Sequence, residues 1–101
     1  MKLVNKIKFE RCVNIIREHL EVNDNILFSN TRSMDGVDAR HTLYKLCSQS
    51  SIRNNVISKH MEEKGIKVSD SNISASIKRI NKLISDAKDW ADVINKLENY
   101  L

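Results

Sequence analysis

The sequence predicts an all-α fold, a compact bundle of about five helices. The 101-residue chain contains no proline and only two glycines, Gly36 and Gly65, so it has few of the residues that end strands and form tight turns. Its apolar residues recur every three or four positions instead of alternating, which is the period of an amphipathic helix. A chain of this length is expected to form a single domain over residues 1–101, with one buried core.

The N-terminal half is expected to contain two helices. The first covers about residues 5–20, with Val4 and Ile7 on its apolar side. A segment rich in Asn, Asp and Ser follows, and residues 22–28 are expected to place a short turn on the core. Asp35 is the expected N-cap of the second helix, because a carboxylate there can accept hydrogen bonds from free backbone N–H groups.

The third and fourth helices are delimited by clear local signals. Ser50 or Ser51 is the expected cap of the third helix, and Gly65 is expected to end it, because glycine readily adopts the left-handed conformation found after helices. Ser69 or Asp70 is expected to cap the fourth helix, which continues to about residue 85 along a stripe of isoleucines.

Positive charge is concentrated in the middle of the chain. The formal net charge is +4, but residues 30–82 carry ten Lys and Arg against five Asp and Glu. Residues 83–101 carry two Lys against four Asp and Glu. A last helix is expected over residues 89–101, with Val93 and Leu101 on its apolar face. A basic middle favours a polyanionic partner.

Several classes of function are not expected. The N-terminus has no continuous apolar run, so neither a signal peptide nor a membrane span is predicted, and the expected location is the cytoplasm, or the host cytoplasm if a phage encodes the chain. Cys12 and Cys47 are predicted to be free, buried thiols, and the three histidines lack partners at metal-ligand spacing. No catalytic grouping and no phosphate-binding GxxxxGK[ST] motif is present, so we expect no enzyme activity, no cofactor and no small-molecule substrate.

Residues of about 51–85 have the layout of a helix-turn-helix, whose second helix enters the major groove of DNA. Small side chains let a helix backbone approach base edges, and four are expected on the outer face: Ser71, Asn72, Ser74 and Ala75. Cations that can bind phosphates follow one or two turns later, at Lys78, Arg79 and Lys82. Ser69, Asp70, Lys59 and Arg40 complete the set that we predict to contact double-stranded DNA.

The order of these features resembles a known family. From Ile7 to Leu101 the chain is similar to the C-terminal DNA-binding domain (domain IV) of the bacterial replication initiator DnaA, in the Trp-repressor-like helix-turn-helix group. Three stretches carry the resemblance, "NTRSMDGVDARHTLYKL", "VISKHM" and "SDSNISASIKRINKLI", and the acidic tail "DWADVINKLENYL" has a counterpart as well. They look like the basic loop with its long helix, the first helix of the helix-turn-helix, the signature helix and the last helix of that family.

The resemblance implies roles for particular residues. Arg32 would enter the minor groove, as the basic-loop arginine of the family does. Depending on a one-residue choice of register, the signature positions of the helix in the major groove would be occupied by Asp70, Ser71 and Asn72. The chain departs from the family in lacking the signature histidine, in having Ser58 where the family has glycine, and in a longer turn, "EEKGIKV". That turn also makes the segment similar to the N-terminal winged helix-turn-helix of arginine repressors.

Two functions are open from the sequence. The first is a non-enzymatic double-stranded DNA-binding protein, a free-standing initiator-type domain such as a phage or mobile element would use to regulate replication or transcription. The second is a small helical protein-interaction module, a regulator, inhibitor or virion component that does not bind DNA; the modest net charge and the acidic tail favour it. The oligomeric state is open under both.

Overall fold

The computed structural model describes residues 2–28 and 34–101, and all regular secondary structure within these ranges is helical. Six helices follow one another: α1 (Lys2–Leu20), α2 (Asp24–Leu27), α3 (Met34–Gln49), α4 (Asn54–Glu63), α5 (Asp70–Asp86) and α6 (Lys88–Glu98). The predicted all-α class is confirmed. The short turn expected after the first helix is α2, whose N-cap Asn23 accepts a hydrogen bond from the Ile26 N–H at 3.0 Å.

The fold is built around α3. This helix packs against α1 on one side and α5 on the other, while α4 bridges α1 and α5, and α6 lies against α5. The fully buried large side chains come from all six helices: Phe9, Val13, Ile16, Leu27, Leu43, Leu46, Ile57, Met61, Ile73, Ile80, Ile94 and Leu97. The one buried polar side chain of the described residues is Thr42, whose hydroxyl donates to the Asp38 carbonyl at 2.8 Å. The core is therefore apolar, with its polar member satisfied inside its own helix.

Some expected core positions in and next to the two terminal helices are exposed. The first helix begins at Lys2, earlier than predicted, and Val4 and Ile7 lie on its exposed side, with Phe9 the first buried residue of the described part of α1. In the last helix Val93 is partly exposed, and Leu101 lies beyond the helix end at Glu98. The spacing rule placed these residues on an apolar face, but in the fold their side chains remain exposed to solvent.

The start of α3 and the start of α4 both differ from the prediction. The third helix begins at Met34, so Asp35 lies inside the helix and is not its N-cap. Ser50 and Ser51 belong to the end of α3, where Ser51 has a φ of 65° and the Ile52 N–H donates to the Cys47 carbonyl at 3.0 Å. This is the hydrogen-bond pattern of a Schellman motif with serine in the usual glycine position, so α4 begins only at Asn54.

The end of α4 and the start of α5 follow the prediction. Gly65 has a φ of 95°, and the Ile66 N–H donates to the Met61 carbonyl at 3.0 Å, which again forms a Schellman motif. Ile66 is buried, so the chain that leaves the helix is anchored in the core. Ser69 is the N-cap of α5, and its hydroxyl accepts from the Asn72 N–H at 3.2 Å.

The two cysteines are free and buried, as predicted. Cys12 of α1 lies with its Sγ 3.6 Å from the Ser50 Oγ, and Cys47 of α3 neighbours it. Within residues 2–28 and 34–101, no three His, Cys, Asp or Glu side chains are grouped so that they could hold a metal ion. In the same part of the chain, no helix has both the length and the apolar character needed to cross a bilayer.

Candidate nucleic-acid interface

The isoleucine stripe determines how α5 lies on the domain. Ile73 and Ile80 are fully buried, and Ile77 between them is partly buried against the core. Successive residues of a helix are rotated by about 100°, so burial of this stripe directs the opposite side of α5 to solvent. Three neighbouring helices, α3, α4 and α6, pack against the rest of this helix.

Most of the predicted α5 residues are exposed on that opposite side. They are Ser71, Asn72, Ala75, Lys78, Arg79 and Lys82. At a rise of about 1.5 Å per residue they extend over roughly 17 Å of the helix, with the small side chains toward its N-terminus and the cations toward its C-terminus. We call these six residues the α5 face.

The helix start has a structural role of its own. The Ser69 hydroxyl is used as the cap of α5, and Asp70 is the exposed first residue, where a negative charge is favourable beside the positive end of the helix dipole. Ser69 therefore fixes where the α5 face begins.

Ser74 does not belong to the exposed face. It is half-buried, and its hydroxyl accepts a hydrogen bond from the Asn54 side-chain amide at 2.7 Å. The contact joins the first residue of α4 to the second turn of α5, whereas we expected Ser74 to be free for bases. Asn54 was absent from the predicted set, because two residues twenty positions apart give no local sequence signal of their contact.

A groove lies between α5 and α3. Its volume is about 390 Å³, and it is lined by Val37, Asp38, His41, Arg79, Ile80, Lys82, Leu83 and Asp86. Burial is the largest of the influences that lower the pKa of His41 below its usual value of 6.5, and the Arg79 guanidinium adds to it, although Asp38 acts in the opposite direction. The lowered pKa favours the neutral form of His41, and the groove contains two cations, Arg79 and Lys82, beside two carboxylates, Asp38 and Asp86.

The cations of the α5 face are not neutralised by ion pairs. Within the described chain, the ion pairs are Arg17 with Asp24 at 3.1 Å, Lys64 with Glu10 at 3.1 Å, and His60 with Glu63 at 3.5 Å. None of them involves α5. Among the described residues, no carboxylate lies within ion-pair distance of the exposed Lys78, Arg79 and Lys82. Their charge is therefore available to a partner.

The remaining predicted residues are dispersed. Lys59 is exposed on α4, on the side away from α5. Arg40 is half-buried on α3, where its guanidinium donates to the carbonyl oxygens of Ile26 at 3.2 Å and Leu27 at 3.5 Å and so holds the C-terminal end of α2. Arg32 lies outside the described residues.

No family model, curated protein or solved structure matches this chain. The likeness to the initiator domain therefore remains a prediction from the sequence motifs. What the structure adds is the arrangement of α4, the turn over residues 64–69, and α5 with its exposed face.

Proposed function

We propose that this chain is a non-enzymatic, double-stranded DNA-binding protein that inserts α5 into the major groove. In this proposal α4, the turn and α5 act as a helix-turn-helix, and the likeness to the initiator domain suggests a regulator of replication or transcription encoded by a phage or mobile element. Arg32 would contact the neighbouring minor groove.

The observation that carries the proposal is the composition of the α5 face. An α-helix with its side chains is about 10–12 Å across and the major groove is about 12 Å wide, so bulky side chains on the inserted side would hold the backbone away from the bases. Ser71, Asn72 and Ala75 are short, and all three are exposed. Lys78, Arg79 and Lys82 follow where the helix would reach the phosphates, and each phosphate contact releases condensed counterions.

The experiment that tests this proposal compares two variants that have the same net charge but lose their cations from different helices. Lys78→Gln with Lys82→Gln removes two cations from the α5 face, and Lys88→Gln with Lys96→Gln removes two exposed cations from α6. Fluorescence anisotropy with a duplex, titrated at several salt concentrations between about 50 and 200 mM, gives the slope of log K against log salt for each protein. The α5 variant should have a slope shallower by about 1.8, while the α6 variant should keep the wild-type slope.

A further comparison separates base reading from phosphate contact. Asn72→Ala should reduce the preference between duplexes that differ at one base pair by about 1–3 kcal/mol, because an amide can bond bidentately to adenine. The salt slope of this variant should not change, since no cation is lost. Absence of wild-type duplex binding at about 50 mM salt would refute the proposed function, because phosphate contacts are strongest there.

A protein-interaction module is the second candidate. The observation that favours it is the exposure of Val4 (45 %) and Ile7 (56 %) on α1, which places two aliphatic side chains side by side in solvent. Under this candidate, pull-down should give a stoichiometric protein complex that is insensitive to nuclease, and light scattering after size exclusion should give its mass. Ile7→Ser should then weaken that complex, whereas it should leave duplex binding through α5 unchanged.

A further inference from the structure

A second group of cations lies away from α5, where the start of α1 runs beside α4. The groove between these helices has a volume of about 600 Å³, and it is lined by Asn5, Lys6, Asn55, Val56, Lys59, His60 and Glu63. Lys6 and Lys59 are both exposed, and no carboxylate of the described residues lies within ion-pair distance of either. The two lysines thus present positive charge to the same groove from two different helices.

Two carboxylates lie near this groove, Glu63 in its lining and Glu10 on α1. Glu63 lies with its Oε2 3.5 Å from the His60 Nδ1, and the His60 ring stacks on Phe9 with centroids 5.1 Å apart. One residue further, Lys64 pairs with Glu10 at 3.1 Å. The groove lining therefore combines two lysines and two amides with one carboxylate, Glu63, which lies beside His60.

The position of α4 relates this groove to the α5 face. The Asn54 amide donates to Ser74 at 2.7 Å, and Ser58 donates to the Val68 carbonyl, so one side of α4 is held against α5 and the turn. Lys59 and the groove lie on its other side. Packed helices are about 8–10 Å apart and the major groove is about 12 Å wide, so a helix beside one that occupies the groove lies over the phosphate wall.

We propose that the groove between α1 and α4 binds a phosphodiester of the duplex backbone, with Lys6 and Lys59 on its oxygens. Asn5 and Asn55 line the same groove, and their side-chain amides can donate to phosphate oxygens. This inference rests on the proposed DNA binding. It extends the interface from α4, the first helix of the motif, which in helix-turn-helix proteins crosses the backbone, to α1. The contact reads no sequence, because every phosphodiester is alike.

The test is a salt series on the intact chain with one duplex. The groove variant is Lys6→Gln with Lys59→Gln, and the matched control is again Lys88→Gln with Lys96→Gln, which changes net charge equally. A third protein, Lys6→Arg with Lys59→Arg, keeps both cations. Circular dichroism checks that all variants are folded, which is expected because the altered side chains are exposed.

The groove variant should have a salt slope shallower by about 1.8 than the control, so between about 50 and 200 mM salt it should lose about 12-fold less affinity. The arginine variant should keep the wild-type slope. The change in slope of the groove variant should be the same on duplexes of unrelated sequence. A groove variant whose slope equals that of the control, with a wild-type protein that binds, overturns the groove contact and leaves the α5 proposal standing. A wild-type protein that binds no duplex overturns both.

Discussion

Two helix ends that turn through left-handed residues offer a matched test of the fold. Gly65 ends α4 with a φ of 95°, and Ser51 ends α3 with a φ of 65°. A Cβ built on Gly65 would meet nothing within 4 Å, so Gly65→Ala adds no clash, and any loss of stability must come from the backbone. Ser51→Gly is the reverse change in the same motif.

The magnitudes follow from two opposing terms. A left-handed backbone costs a residue with a Cβ roughly 1–2 kcal/mol, whereas replacing glycine by alanine stabilises by about 0.4–1 kcal/mol through the unfolded chain. Gly65→Ala should therefore lower the free energy of unfolding by about 1 kcal/mol, or Tm by about 4–8 °C for a domain of this size. Ser51→Gly should raise the free energy of unfolding by a similar or smaller amount.

Urea unfolding followed by circular dichroism measures both changes. Gly65→Asn serves as the control, because asparagine tolerates the left-handed region better than alanine, and it should lie between glycine and alanine. The reasoning is refuted if Gly65→Ala is as stable as the wild type while Ser51→Gly is not stabilised, since the left-handed conformation would then carry no cost at either end.

Three further outcomes are expected from urea unfolding. Ser69→Ala should cost about 1 kcal/mol, because the hydroxyl caps α5, whereas Ser71→Ala, which removes an exposed hydroxyl of the same helix, should stay within about 0.5 kcal/mol; equal losses would contradict the cap. Ile73→Ala should cost about 2–5 kcal/mol, because the side chain is fully buried; a loss below about 1 kcal/mol would contradict its place in the core. The pKa of His41 is lowered in the folded chain, so the stability that the neutral imidazole contributes is present above pH 6.5 and is lost as pH falls below it. His41→Gln should therefore lose less stability than the wild type between about pH 7 and 5. Identical pH dependence of the two proteins would contradict the burial of the imidazole.

The part of the fold that could be predicted is the part encoded by neighbouring residues. Gly65 ends a helix and Ser69 caps the next because their own chemistry favours those positions, and the isoleucine spacing then determines which side of α5 is buried. The exposure of the α5 face follows from that spacing alone.

The end of α3 could not be predicted because it depends on burial. Serine is an ordinary cap residue, so Ser50 and Ser51 suggested the start of a helix. In the structure Ile52 is buried, and the turn that brings it into the core holds Ser51 in a left-handed conformation. Tertiary packing outweighs the local preference there, and α4 begins later without a side-chain cap.

The contacts between helices were also beyond reach of the sequence. Ser74 was expected to be free for bases, but it accepts from Asn54, and Arg40 was expected at phosphates, but it donates to the carbonyls of Ile26 and Leu27. Each pair is separated by 13 to 20 residues, and both depend on how the helices cross. The sequence shows that these side chains can form hydrogen bonds, but it does not show which groups they bind in the fold.

The packing of α5 against neighbouring helices affects how fast a partner should bind and the heat-capacity change of binding. Since α3, α4 and α6 all pack against this helix, a partner would meet a surface whose backbone order is already established by folding. Little ordering entropy remains to be lost in the complex, so encounter should be limited by orientation and charge steering instead of by refolding. Calorimetry should accordingly give a small heat-capacity change that reflects only the surface removed from water.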